Sequence, residues 1–203
     1  MTRLVLVRHA PTAETGKTLY GRLPGHPLSE EGVNMAAEVA ERLGRVKMAA
    51  VYSSPLARAT QTAAPIADRQ RKEVIVQDAL LEVDYGDWTG RSLKSLYRLK
   101  AWRTVLSHPS QVRFPGGESL LEAQTRVVNA CGELARRHRR QIVVAVTHAD
   151  VIKVAVSHYL GQPLDLFNRI AVAPASVTVV DLLAGGPPRM IALNTNGDST
   201  TWR

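Results

Sequence analysis

The sequence is poor in the residues that staple, stack or anchor a chain. Its 203 residues include one cysteine, Cys131, so no disulfide can form within it. A lone thiol fits a reducing compartment, and a cytoplasmic location is the expectation. Two phenylalanines and three tryptophans are too few and too scattered for a base-stacking platform. None of the common nucleic-acid-binding motifs occurs. The first ten residues lack the long apolar stretch of a signal peptide, and no apolar run is long enough to span a membrane. There is no His, Cys and Asp cluster at metal-ligand spacing, no GxxxxGK loop and no GxSxG elbow. The expected partners therefore include neither nucleic acid nor membrane, and no metal or cofactor is expected.

What remains is ordinary for a soluble globular chain: 45% hydrophobic and 22% charged residues, without repeats, low-complexity tracts or linkers. The length suits a single domain over residues 1–203. The net charge is +8. Its densest run, Arg136-Arg137-His138-Arg139-Arg140, closes a helical pattern just before a strand, where cations are favoured. The run reads as a solvated helix end, and the excess positive charge is compatible with a small anionic substrate.

Leu4-Val-Leu-Val7 reads as a buried strand running into Arg8 and His9. Pro11 to Pro27 is a long loop, of the kind that usually carries function. Ser29 caps a helix with Val33, Ala36, Ala37, Ala40 and Leu43 at helical spacing. Ala49 to Ser53 is a strand. Ser54 is expected to cap the next helix, with Pro55 at its first position and Arg58 in its opening turn. Val74 to Val76 is a third strand, and a further one is expected before Glu82. Ser92 to Ser107 is irregularly helical, and Glu118 to Arg139 is a long amphipathic helix. Ile142 to Val146 is the most strand-like run and ends in Thr147-His148, with a helix following to about Leu160. Ala175 to Leu183 and Arg189 to Leu193 form an edge hairpin joined by Gly185-Gly-Pro-Pro188. Strands alternating with helices give a three-layer α/β/α sandwich with a mostly parallel central sheet.

His9 and His148 each stand at the end of a Val-rich strand. Parallel central strands would project both imidazoles from one sheet edge, the edge where ligands bind in open α/β sheets. Arg8 and Arg58 can each grip phosphate oxygens with a planar fork of donors. A carboxylate after Leu80-Leu81 can move a proton, and Glu82, Asp84 and Asp87 are equivalent candidates on these grounds. Together these parts specify phosphoryl transfer. His9 is the nucleophile, basic side chains neutralise the phosphoryl oxygens, and an acid protonates the leaving alkoxide. His26, His108, His138 and His158 lack convergent partners and read as surface or loop residues.

The ordered series resembles the histidine phosphatase superfamily, the phosphoglycerate-mutase-like proteins. It comprises Leu-Val-Arg8-His9-Ala10-Pro-Thr12, Gly21-Arg22, Pro27-Leu-Ser-Glu-Glu-Gly32 and Tyr52-Ser-Ser-Pro-Leu-Ala-Arg58-Ala-Thr-Gln-Thr62. Leu81-Glu82, Gly86-Asp-Trp-Thr-Gly90, Pro115-Gly-Gly-Glu118 and Thr147-His148-Ala149 extend it. The resemblance implies an α/β sandwich, His9 as nucleophile, and Glu82 rather than Asp84 or Asp87 as acid and base. It implies Arg8, Arg58 and His148 as phosphate binders. Thr15, Gly21 and Arg22 are candidates for the substrate rim, with Thr15 where the family often has an asparagine. Trp88 fits either the pocket or the core. The family usually has glycine where this chain has Ala10, and often where it has Ala149; an extra methyl is tolerable where the backbone φ is negative.

The segment Glu82-Val-Asp-Tyr-Gly86 looks like the phosphatase branch rather than the Glu-Arg-His-Tyr-Gly of the mutases. The implied activity is metal-independent hydrolysis of a small phosphomonoester. A phosphomutase of the same fold is the alternative, and a non-catalytic phosphate-binding regulatory module is a rival of another class. A homodimer through an edge strand or surface helix is compatible with the sequence.

Overall fold

The computed structural model describes residues 1–197. Its centre is a six-stranded sheet in the order β3-β2-β4-β1-β5-β6. The strands are β1 (Thr2–Arg8), β2 (Ala50–Ser53), β3 (Val74–Val76), β4 (Ile142–Thr147), β5 (Val177–Leu182) and β6 (Arg189–Thr195). The first four are parallel; β5 runs antiparallel to β1, and β6 antiparallel to β5. The expected edge hairpin is present, and it extends a mostly parallel sheet.

Side chains alternate across a strand, so β1 and β4 serve two cores at once. Val5, Val7, Val144 and Val146 face α1 (Glu30–Leu43) and α2 (Ala57–Arg69). Leu4, Leu6, Val143 and Ala145 face the other layer, where α5 (Leu120–Arg137) and α6 (Ala149–Tyr159) pack. This is the expected three-layer sandwich. Cys131 lies fully buried in the second core, where burial raises its thiol pKa to about 11 and keeps it inert.

Several local expectations need correcting. α1 is capped by Ser29, whose side chain accepts from Gly32 N. Its buried stripe is Gly32, Ala36, Val39, Ala40 and Leu43, while Val33 and Ala37 are exposed. Ser54 does not cap α2; that helix starts two residues later, after Leu56, without a side-chain cap. The Ser54 hydroxyl is drawn elsewhere, to His148 (below). Residues 78–80 form a single tight helical turn instead of a strand, with the Gln77 side chain accepting from Ala79 N and its carbonyl from Leu80 N. The segment 92–107 is two helices, α3 (Leu93–Leu96) and α4 (Lys100–Ser107). Trp88 is core, packed against Trp102 and Phe114. His138 and His26 do have partners: Tyr52 Oη lies 2.8 Å from His138 Nε2, and Tyr20 stacks on His26 at 3.6 Å between ring centroids. The sequence from Asn194 to Asp198 is polar; Asn194 belongs to β6 and accepts from Ala173 N, while Asp198 and Trp202 lie outside the described residues.

Two glycines lock the segment that bears Glu82. Gly86 has φ +50°, and a Cβ there would meet the Pro115 carbonyl at 2.0 Å. A Cβ on Gly117 would lie 2.3 Å from the Asp84 carbonyl. Backbone bonds Asp87 N–Pro115 O (2.8 Å) and Glu118 N–Asp84 O (3.0 Å) close the seam. Beside it, α5 opens with a capping box, Ser119 with Glu122. Ser119→Ala is expected to cost about 1 kcal/mol. That lowers Tm by roughly 2–4 °C in a chain of this size, measurable by thermal melting.

Candidate active site

The two histidines meet because β1 and β4 pair in register. Arg8 lies opposite Thr147, and His9 N donates to the Thr147 carbonyl at 2.9 Å. The next residue on each strand is a histidine, and the rings stand 5.1 Å apart at 61°. His9 is nearly buried and His148 fully so. Nδ1 of His9 lies 2.7 Å from the Ala10 carbonyl. A carbonyl only accepts, so Nδ1 carries the proton and Nε2 is left with its lone pair. Burial, then Arg58 and Arg8, push the His9 pKa down to about 3, so the ring is neutral at pH 7. Burial drives His148 well below its ordinary range too, helped by His9 and Arg58. Its Nε2 meets Ser54 Oγ at 2.8 Å, while its buried Nδ1 has no partner.

Each guanidinium is anchored through one nitrogen. Arg8 Nη1 donates to the Val172 carbonyl at 2.6 Å, and its Nε is buried without a partner. Arg58 Nη2 donates to the Gly21 carbonyl at 2.7 Å. The remaining N–H groups of both forks are left for an anion. Thr62, one turn after Arg58, ties the end of β1 to α2: its hydroxyl accepts from Ala10 N and donates to the Arg58 carbonyl. Ala10 is buried and is not among the positive-φ residues, so its methyl replaces glycine without backbone strain.

Glu82 is buried in the same cavity, which encloses about 300 Å³. Its Oε1 accepts from Val83 N at 2.9 Å. Burial, then the Asp150 charge, raise its pKa to about 7, outweighing that bond and both arginines. Asp150 itself stays ionised: burial opposes its charge, but Lys153 (Nζ–Oδ1 3.0 Å) and Tyr85 Oη (2.8 Å) hold its pKa below the ordinary value. Glu82 is therefore about half protonated near pH 7, while the His9 ring is neutral.

Of the rim candidates, Thr15 lines the cavity but its hydroxyl is shared with Thr12, accepting from Thr12 N at 2.8 Å. Gly21 lines it as well, with φ +54° and its carbonyl on Arg58. Arg22 is a correction. It is not a lining residue; its Nε donates to the Glu82 carbonyl at 2.9 Å and its Nη2 to Glu118 at 3.0 Å. Arg126 joins from α5, bonding Glu118 at 2.6 Å and the carbonyls of Ala79 and Leu81. The irregular backbone around Glu82 has no ladder to satisfy its carbonyls, so two guanidiniums do so. Sequence reading missed Ser54, Thr62, Tyr85, Asp150 and Lys153 as members of the site. Asp150 had one visible signal, its place two residues past His148. Among the described residues, no group of three or more His, Cys, Asp or Glu could hold a metal ion, and no helix is long and apolar enough to cross a membrane.

Fold and cavity together define an α/β protein whose pocket is lined by Arg8, His9, Arg58 and Glu82, with His148 fully buried behind His9 rather than lining it. The chain belongs to the histidine phosphatase superfamily (branch 1), whose model matches residues 4–196. Phosphoserine phosphatase 1 of Hydrogenobacter thermophilus is 34% identical over 184 residues, 90% of this chain and 87% of that one. A probable phosphoglycerate mutase of Proteus mirabilis is 32% identical over 189 residues, covering 89% and 85%. The solved structure of a mycobacterial glucosyl-3-phosphoglycerate phosphatase superposes with TM-score 0.86 at 26% identity, covering 96% of this chain and 99% of that one.

The pKa shifts set a pH dependence. Turnover that needs neutral His9 and protonated Glu82 holds on the acid side and falls as pH rises through about 7. The kcat profile for an ester with a poor leaving group is expected to show that alkaline limb, and one with a good leaving group to lack it; a limb of equal depth for both would separate it from Glu82.

Proposed function

We propose that this protein hydrolyses a small phosphomonoester through a phosphohistidine on Nε2 of His9, without a metal. The carrying observation is the His9 ring: neutral, locked in one tautomer by Ala10, with its free nitrogen beside two arginines anchored at one end. Nε2 attacks phosphorus as the ester P–O bond breaks, and the leaving oxygen takes the Glu82 proton. Arg8, Arg58 and the unpartnered Nδ1 of His148 hold the phosphoryl oxygens. The Glu82 carboxylate then takes a proton from water, whose oxygen attacks phosphorus. The P–N bond breaks, phosphate leaves and the His9 lone pair returns. The arginines supply the positive charge that a metal would otherwise bring. We read residues 1–203 as one catalytic domain, and the buried single thiol of Cys131 suits the cytoplasm.

A neutral His9 ring held in one tautomer, with Glu82 pushed up to about 7 in the same cavity, favours catalysis over a passive binding module. A mutase is the second reading, favoured by the similarity to a probable phosphoglycerate mutase; phosphate release against isomer exchange separates the two.

The expected result is phosphate release from a generic aryl phosphate, unchanged by chelator. An acid-labile, alkali-stable phosphoenzyme should be trapped on rapid quench. His9→Ala should abolish both; retained turnover overturns the assignment. Glu82→Gln should slow poor leaving groups at least tenfold more than good ones, since only the former need the proton. Equal slowing removes Glu82 as the acid.

A further inference from the structure

Beyond the phosphate cluster, the cavity changes character. Its far wall is built by α3, α4 and the helical turn Leu164–Arg169, and carries Leu93, Tyr97, Trp102, Leu106 and Phe167. We infer that the substrate's alcohol is apolar and ring-bearing, with no second anionic group. This rests on the phosphomonoesterase reading above and names the substrate class for that site.

Three observations carry it. Tyr97 is 57% exposed and Leu106 47% exposed, both at the cavity. Large apolar side chains left in water and gathered at one rim mark a surface that a ligand covers. The wall is also rigid: Asn168 Nδ2 donates to the Val105 carbonyl at 3.1 Å, and the Tyr97 and Trp102 rings meet edge to face at 5.7 Å. Finally, among the described residues the lysine and arginine side chains lining the cavity are Arg8, Arg58 and Lys153. The two arginines flank His9. Lys153 is neutralised by Asp150 at 3.0 Å and lies 5.3 Å from the Phe167 ring centre. A substrate carboxylate drawn to Lys153, the one lining cation outside the phosphate cluster among the described residues, would have to displace Asp150 and would then face it, a like-charge contact. An aryl or branched alkyl group meets complementary surface instead.

The test is kcat/KM on four alkyl esters of similar leaving-group basicity: 2-phenylethyl phosphate, glycerol phosphate, phosphoserine and 3-phosphoglycerate. 2-Phenylethyl phosphate is expected to exceed both carboxylate-bearing esters by tenfold or more. Tyr97→Ala, at an exposed position that folding tolerates, should shrink the ratio of 2-phenylethyl to glycerol phosphate on the order of tenfold. Leu106→Ala should shrink it in the same direction. Carboxylate esters turned over as well or better, or a ratio unmoved by Tyr97→Ala, would overturn the inference while leaving the phosphatase reading intact. No turnover of any ester overturns both together.

Discussion

The pairing of Arg8 with Thr147 is the constraint on which the rest depends. Two parallel strands in register deliver two histidines to one sheet edge, and a backbone hydrogen bond from His9 to Thr147 fixes their separation. A slip of one residue would turn each side chain to the opposite face. Register is protected because both faces of β1 and β4 are buried, each by its own core. The most buried part of the fold therefore sets the position of the most reactive atom.

Around that pair, burial and charge compete, and burial wins in different directions for different groups. Desolvation keeps both imidazoles neutral, and two adjacent guanidiniums reinforce it. The same arginines favour an ionised Glu82, yet desolvation and the Asp150 charge outweigh them. The result is a neutral base and a neutral acid inside a positive pocket, an arrangement in which protons are available without lowering the field that receives phosphate. Lys153 and Tyr85 matter here by holding Asp150 ionised.

Much of this was legible in the sequence. Strands 4–7 and 142–146 declare themselves as Val-rich runs, and the histidines following them are visible by position. Glu82 was separable from Asp84 and Asp87 only through the family resemblance, and the structure shows why. The charges around it, Arg8, Arg58 and Asp150, come from three distant segments, so its burial leaves no local trace. Arg22 misled because a loop arginine near the site looks like a rim residue; in fact it satisfies carbonyls of an irregular segment. Ser54 misled similarly. A serine before proline is a strong capping signal, and a buried imidazole nitrogen was a better partner than a helix N–H. The apolar wall was unreadable as such, because α3 and α4 show only as irregular helix until Phe167 and Asn168 arrive from sixty residues away.

The glycine seam has a topological meaning. Where Gly86 and Gly117 press backbone against backbone, the chain leaves the catalytic framework and returns to it through one narrow neck. Everything between, including the helices that carry Tyr97 and Leu106, is an excursion whose two ends are pinned together. Its Trp88, Leu96, Trp102 and Phe114 join the same core as Leu4 and Leu6 of β1, so the excursion is packed onto the framework as well as pinned to it. Recognition is thereby gathered largely in one pinned excursion, and the chain must come back at Phe167 and Asn168 to complete the wall that the excursion begins.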